Sequence, residues 1–408
     1  MTLIKKFKAF TEKDIPASDN GIKVKEITQL LKGNRFEVEF LESLEIASIQ
    51  EEFIAIPGAQ KALARLANID EVYQKIDHVT TYRNLIFDSE RKRREDFAIG
   101  FPDLAGEEGG VFAKPIYSAQ TDFFAKMIGM DKYAYQLFSK ELSNVVYANL
   151  ALLQKDSKET KKKEKFRLLK EIETGNLFLR AIVGSNYRDY NNKVALFVAL
   201  VTLHKSSKET KTEFRITNFE YSESYIRIFF ESDSVEQLSD FGEVTQVIEV
   251  SNDEIKSRAL TFKCLLKIGY YDKREKVEGE IFAKPQTTDK YNILRITHGQ
   301  NVDTAIARLK DISKVDSVTN TVFEDARNIS AIDKPDFIRA LVKRKIEGSR
   351  IEELQSHKNA LSRELETKVD SMYGLLKIFN KLNLVTDDPE VKEYLRYLFY
   401  DALSNRIV

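Results

Sequence analysis

Cysteine is nearly absent from this chain. Cys264 is the single one in 408 residues, which excludes an intrachain disulfide framework and suits a reducing compartment. Tryptophan is missing altogether. The four histidines, His78, His204, His298 and His357, fall in separate segments with no His-x-x-x-His or Glu-x-x-His spacing. One cysteine and scattered histidines cannot supply the usual zinc ligands locally, so neither a metal site nor a cofactor is expected. The Gly-rich stretch Gly106–Gly110 lacks both the GxxxxGK[ST] pattern and the strand-to-helix setting of a phosphate loop. Long apolar runs are missing too: Val194–Leu203 has ten residues, against the ~20 that span a bilayer. The opening stretch MTLIKKFKAFTEKD holds no apolar core of signal-peptide length. The expectation is a soluble, cytoplasmic protein with no membrane partner. Finally, neither charge is in excess. Sixty-four basic residues balance 64 acidic ones, so any surface for a polyanion has to be local.

What is present is an ordinary globular composition, 42% hydrophobic and 31% charged. At 47.0 kDa the chain exceeds the ~250–300 residues that one core usually serves, which predicts two or three modules. The pattern is that of an α+β protein: a mixed N-terminal module over 1–110, a central helical hairpin plus antiparallel-rich sheet over 111–300, and a helical region over 301–408. In the first, Phe36, Val38 and Phe40 alternate with period two and predict a half-buried strand, and Ala59–Asn68 predicts a helix. Phe101–Gly110 reads as a linker. A helix begins near Thr121 and stops at Gly129, and a longer one runs from about Lys132 to Gln154. Lys193–Leu203 predicts a helix capped by Asn191 or Asn192. Six short strands are expected between Glu213 and Ile296, and a last helix starts at Asp388-Pro389.

Chemistry is concentrated in two places. Lys155–Lys170, KDSKETKKKEKFRLLK, holds eight basic and three acidic residues, a local net of +5. It reads either as a solvated helix end or loop, or as an arm whose Lys161, Lys162, Lys163, Lys165 and Arg167 contact phosphates. Asn176–Asn192 reads as an apolar strand carrying Arg180, then a polar turn with Tyr187, Arg188 and Tyr190. Tyr187 and Tyr190 are candidates for base stacking and Arg188 for a phosphate contact, the usual pattern on single strands. The alternative is a turn whose rings pack on the strand. Arg180, in mid-strand, is placed to pair with a carboxylate. No catalytic constellation emerges, and a dispersed acidic metal site ranks last.

The segment Arg180-Ala181-Ile182-Val183-Gly184-Ser185-Asn186-Tyr187-Arg188-Asp189-Tyr190-Asn191-Asn192 is similar to an R-A-[hydrophobic]-x-S-x-x-Y-x-x-x-[DN]-N signature, with Gly184 pushing Ser185 one place along. Tyr117–Tyr133 resembles the helix that accompanies that signature, with Asp131 in place of Pro. Gly242–Glu254 resembles its following strand, with Asp253 in place of Ser. A Cys-x-Asn-Gly motif of that pattern is missing, since Lys267-Ile268-Gly269 stands after Cys264. On these residues the chain resembles the phage/plasmid-like protein family, a domain of unknown function, from about Ala113 to His298. The resemblance implies a cytoplasmic protein of phage or plasmid origin from a family with no settled activity; by analogy, mobile-element genes of this size commonly serve genome replication, recombination or evasion of host defence. Together these features predict a non-enzymatic nucleic-acid-binding protein, acting on single-stranded DNA in recombination or annealing. The competing expectation is a protein-interaction module that inhibits a host defence complex; a homo-oligomer stays open under both.

Overall fold

The computed structural model describes residues 7–104, 111–129, 131–156, 161–188, 190–237, 242–255, 259–272, 275–282, 293–298, 300–309 and 332–403. The chain is an α+β protein with antiparallel and mixed sheets. Its contacts divide it into two compact units, and these are not the three consecutive segments the sequence suggests. The larger comprises Met1–Leu63, Tyr190–Asp253 and Ala259–Val408, and the smaller comprises Ala64–Asp189 with Glu254–Arg258. Strand pairing between remote segments is the reason. β1 (Lys8–Thr11) joins the edge of a sheet built some 200 residues later, with Phe10 opposite Phe219.

After β1 come the short strands β2 (Ile22–Lys23) and β3 (Phe53–Ile54), which pair with each other. Around them lie α1 (Val24–Ile27), α2 (Glu37–Ser43) and α3 (Ile46–Ile49). The helix α2 stands where a strand is expected. Phe36 and Phe40 are spaced four apart, so one helical face buries both, at 6% and 1% exposure, and turns Val38 out to 65%. A strand would have put all three on one side. The Ala- and Leu-rich segment then forms α4 (Ala59–Val72) as predicted.

The smaller unit carries a six-stranded sheet of β4 (Tyr73–Thr81), β5 (Ile86–Phe87), β6 (Ile99–Phe101), β7 (Val111–Pro115), β8 (Lys163–Glu171) and β9 (Leu177–Gly184). Its order is β4-β8-β9-β7-β6-β5, antiparallel except where β7 meets β9. Three helices, α5 (Ala119–Ile128), α6 (Asp131–Ser139) and α7 (Ser143–Asp156), share with one sheet face a core rich in aromatic rings. Phe97 and Phe124 lie 5.0 Å apart within it. Gly129 ends α5 in the left-handed region, φ 61°, where a side chain would be strained. The single long helix expected after it is two. Glu141, at φ 60°, terminates α6, and the Leu142 amide reaches back to the Leu137 carbonyl, 2.9 Å, closing the end.

In the larger unit α8 (Asn192–Thr210) begins at the predicted cap: the Asn191 side chain accepts from the Val194 amide, 2.9 Å. The helix is apolar almost all round from Val194 to Leu203 and is buried accordingly, a core helix that packs on the sheet through β12. That sheet consists of β10 (Phe214–Tyr221), β11 (Tyr225–Gln237), β12 (Gly242–Asp253), β13 (Leu260–Asp272), β14 (Glu275–Phe282) and β15 (Ile293–Ile296) together with β1. All of its pairings are antiparallel. Ile226, Ile228 and Phe230 alternate with Arg227, Phe229 and Glu231 along β11. After α9 (Val302–Leu309) come α10 (Pro335–Gly348), α11 (Glu352–Gln355), α12 (Lys358–Glu364), α13 (Met372–Asn383) and α14 (Pro389–Leu403), which build a core of their own with Val244. Phe379 and Phe399 stack in it at 4.0 Å. Asp388 caps α14 as its sequence predicts, accepting from the Glu390 amide at 2.9 Å. Among the described residues no helix is long and apolar enough to cross a membrane.

The helical assignment of residues 37–43 makes a direct prediction. Phe40→Ala is expected to lower unfolding stability by about 3–5 kcal/mol, while Val38→Asp changes it by less than about 0.5 kcal/mol. Urea denaturation of the two variants checks this, and equal losses would fit the strand instead.

Candidate nucleic-acid interface

The described part of the basic run does not form an arm. From Lys163 onward it is β8, an interior strand of the smaller unit's sheet, because EKFRLLK itself alternates. Phe166 and Leu168 enter the aromatic core, and Lys165 and Arg167 point to the opposite face. Both are buried, at 5% and 2% exposure. Across the strand pairing lies β4, where Asp77 faces Arg167 and Val79 faces Lys165. Arg167 Nε lies 3.0 Å from Asp77 Oδ1, and Lys165 Nζ lies 3.5 Å from Asp77 Oδ2.

The third strand supplies Arg180 through a β-bulge. Arg167 pairs with Ala181 and Leu168 with Leu179, so Arg180 is the extra residue between two ladder positions. The bulge lets Leu177, Leu179 and Ile182 all reach the aromatic core, although their numbering breaks a period of two. Arg180 Nη1 meets Glu254 Oε2 at 3.1 Å, both side chains fully buried. Arg180 is therefore structural and carboxylate-paired, as its mid-strand position suggests. Glu254 also takes Lys75 Nζ at 2.7 Å on its other oxygen. Its main-chain carbonyl accepts from Arg167 Nη1 and, at 3.3 Å, from the Tyr187 hydroxyl.

Tyr187 is held inside this cluster. Lys165 Nζ donates to its carbonyl at 2.8 Å, and the Arg167 guanidinium lies 5.3 Å from its ring centroid. A ring face already covered by a guanidinium is not a platform for a base. Tyr190 belongs to the larger unit and is buried at 1% exposure. Its hydroxyl donates to the Gln300 carbonyl at 2.7 Å, and its ring meets Phe40 edge-on. Lys165, Arg167 and Tyr190 are thus removed from the predicted ligand surface, because burying each of them requires the internal partner it has. Arg188 is half-buried.

Lys161, Lys162 and Lys163 remain, all exposed at the entrance to β8. Lys163 pairs with Thr81 of β4 and Glu164 with Gly184 of β9, so the three lysines share one end of the sheet with the exposed turn Gly184-Ser185-Asn186. Lys126 Nζ reaches the Ile182 carbonyl there, 2.5 Å. Partial burial lowers the Lys126 pKa; Glu164 opposes that shift and Lys162 adds to it. Glu164 is buried and pairs with Lys162 at 3.0 Å. The part of the run at residues 157–160 lies outside the described residues. Glu254, Asp77, Lys75 and Lys126 are the residues the sequence reading missed as members of the cluster. Glu254 had a visible signal, as half of the acidic pair Asp253-Glu254, but nothing linear ties it to Arg180.

A second buried charge network lies in the larger unit, where the charged face of β11 to β13 meets α14. Arg227 lies 2.7 Å from Glu393 and 3.3 Å from Glu249, and donates to the Pro389 carbonyl at 2.6 Å. Lys263 pairs with Glu249 at 3.2 Å and also with Glu393. Arg396 stands over the Phe229 ring at 4.8 Å. Desolvation pulls the Lys263 pKa down, but Glu249, Tyr397 and Glu393 outweigh it and raise the value. Burial, reinforced by Glu249, pushes the Tyr397 hydroxyl up to about 12. A lysine held protonated is no nucleophile, so this network clamps α14 to the sheet. Among the described residues no three His, Cys, Asp or Glu side chains converge as a metal site would need.

Two predictions follow the two networks. Glu254→Ala leaves Arg180 buried without its carboxylate and is expected to destabilise by about 3–5 kcal/mol in urea unfolding; a loss below about 1 kcal/mol contradicts the hub role. Lys263 and Tyr397 both have raised folded pKa values, so their contribution is intact below the unfolded value and fades as pH climbs through the folded one. For the Tyr397 ring that window runs from about pH 10 to about 12. Absorbance at the tyrosinate band should show a late-ionising group of tyrosines, Tyr82 and Tyr147 among them, that is one residue smaller in Tyr397→Phe. No family model, curated protein or solved structure matches the chain, and the resemblance to the phage/plasmid-like family rests on its motif residues alone.

Proposed function

We propose that this chain is a nucleic-acid-binding protein that grips the phosphate backbone through one end of the smaller unit's sheet. The observation that carries the reading is the row of exposed lysines Lys161, Lys162 and Lys163 beside the exposed turn Gly184–Asn186. Among the described residues Glu164 is buried and pairs with Lys162 at 3.0 Å, and Lys161 and Lys163 add two further exposed cations at this end. Lysines of this kind displace condensed counterions from nucleic acid, which gives salt-sensitive and sequence-independent association. With Tyr190 buried and Tyr187 capped by Arg167, the support for base stacking falls away, and with it the reason to favour single strands over duplex. The role is non-enzymatic, in the handling of a mobile element's DNA, as the family resemblance suggests.

Fluorescence anisotropy on labelled single-stranded and duplex oligonucleotides tests this. Three phosphate contacts predict a slope of log affinity against log salt of about −2 on single strands and about −2.7 on duplex. The triple variant K161E/K162E/K163E should weaken binding at least about tenfold at low salt. Binding indifferent to salt, or unchanged in that variant, overturns the proposal.

A second reading, a protein partner, is favoured by β4. It is a nine-residue edge strand on which Gln74, Asp77 and Val79 are exposed, the kind of edge to which an extended segment adds. A stoichiometric protein partner lost on Val79→Lys, with nucleic-acid binding absent, would decide for it.

A further inference from the structure

β4 is the edge of the six-stranded sheet, and its pairing with β8 runs without a bulge from Tyr73 opposite Glu171 to Thr81 opposite Lys163. Among the described residues no strand pairs with its other side. At nine residues it exceeds the roughly five or six of an ordinary strand, and it holds no proline. Shortness, proline and a bulge, three devices that commonly blunt an edge, are thus absent from it. Alternate residues of such a strand direct amide and carbonyl away from the sheet and offer a template for an added strand.

The side chains bear on which strand that is. Tyr73, Lys75, Asp77 and Val79 stand on one face of β4, and Gln74, Ile76 and His78 on the other. An antiparallel copy related by a two-fold axis perpendicular to the sheet keeps each set on its own face, so odd positions meet odd and even meet even. With the axis at Ile76, Lys75 comes opposite Asp77 and Tyr73 opposite Val79, each pair twice. Gln74 then faces His78, and Ile76 faces its own copy. Opposite charges and an aromatic ring against a β-branched side chain are favourable cross-strand pairs. Moving the axis by one residue sets Asp77 against Asp77 or Lys75 against Lys75, which is destabilising. The side chains concerned reach solvent: Lys75 and Asp77 are 25% and 28% exposed beyond their partners in the buried cluster, and Val79 is 46% exposed.

We propose that β4 is a homodimer interface, where two copies of the chain pair β4 with β4, antiparallel and centred on Ile76, and join their six-stranded sheets into one. This rests on the second reading above, that β4 takes a protein strand, and supplies the strand. A foreign segment would need the matching order of charge and ring, whereas a second copy brings it by symmetry. In that arrangement the two lysine rims lie at opposite ends of the joined sheet, because the paired copies of β4 run in opposite senses. The interface uses none of Lys161, Lys162 and Lys163, so it stands or falls separately from the phosphate grip.

Light scattering on the nuclease-treated full chain should give a mass of about 94 kDa, twice the 47.0 kDa of one chain. Val79→Lys sets an ammonium where Tyr73 of the other copy packs, at a position exposed in the single chain. It is expected to raise the dimer dissociation constant at least about tenfold with an unchanged circular dichroism spectrum. Cross-linking reads the register. In a Cys264→Ser background, Ile76→Cys should form a disulfide with its own copy under mild oxidation, since opposed residues of an antiparallel pair lie about 4.5–5.5 Å apart at Cα. Gln74→Cys should not, because its two copies stand four positions apart along the strand, about 13 Å. A monomeric chain, a dimer that Val79→Lys leaves intact, or a cross-link at position 74 and not at 76 overturns the proposal. Where a monomeric chain instead holds a different protein that Val79→Lys releases, self-pairing falls and the reading of β4 as a protein edge survives; where it holds none, both fall.

Discussion

The pairing of Arg180 with Glu254 governs what the smaller unit can show to solvent. A guanidinium removed from water is tolerated when a carboxylate and further hydrogen bonds replace its hydration. Glu254 does this for Arg180 and takes Lys75 on its second oxygen, while its carbonyl receives Arg167 and the Tyr187 hydroxyl. Four cations, Lys75, Lys165, Arg167 and Arg180, are gathered on one sheet face around two carboxylates, and main-chain carbonyls make up part of the difference. Any rearrangement that freed Arg167 or Tyr187 for a ligand would leave a neighbour buried without its partner. The cluster is therefore a joint, and the surface begins where it ends, at Lys161–Lys163.

The larger unit repeats the device with other residues. Arg227 and Lys263 on the sheet meet Glu220, Glu249 and Glu393, and the helix α14 is thereby fixed in register on strands that present charge where a core face is ordinarily apolar. Such networks take charges of both signs off the surface, with cations in excess in the smaller unit and carboxylates in excess among the residues just named. Overall neutrality is then a poor guide to local fields, and a compact basic rim is compatible with 64 charges of each sign.

How far the sequence leads depends on whether the deciding contact is local. The Asn191 and Asp388 caps, the left-handed Gly129 and the strands from Phe214 to Ile296 are legible because a few adjacent residues determine them. The stretch from Phe36 to Phe40 misleads because apolar residues at positions one, three and five satisfy a strand, while the first and last alone satisfy a helix. Only packing decides between them. The break at Glu141 is invisible for another reason: a glutamate in the left-handed region carries no turn signature. The lysine run is the sharpest case. Its charge density suggests solvent, yet the alternation Lys165, Phe166, Arg167, Leu168 is that of a strand with two dissimilar buried faces. What buries the charged face is Asp77 and Glu254, which lie 90 and 87 residues away from Arg167.

Removing both tyrosines from the candidate surface changes the kind of recognition that surface can perform. Discrimination among bases requires donors and acceptors on base edges or stacking on ring faces. Ammonium groups on flexible stems have no ring face and donate without accepting, so they respond chiefly to charge density. Duplex DNA carries more charge per unit length than a single strand, so a ligand surface of lysines alone should hold duplex at least as well. A preference for single strands, if found, would need an aromatic or peptide contact beyond Lys161–Lys163. Within the smaller unit the exposed backbone of Gly184–Asn186 is the nearest place for one, because its amides and the Ser185 and Asn186 side chains stand beside the lysines at the same end of the sheet.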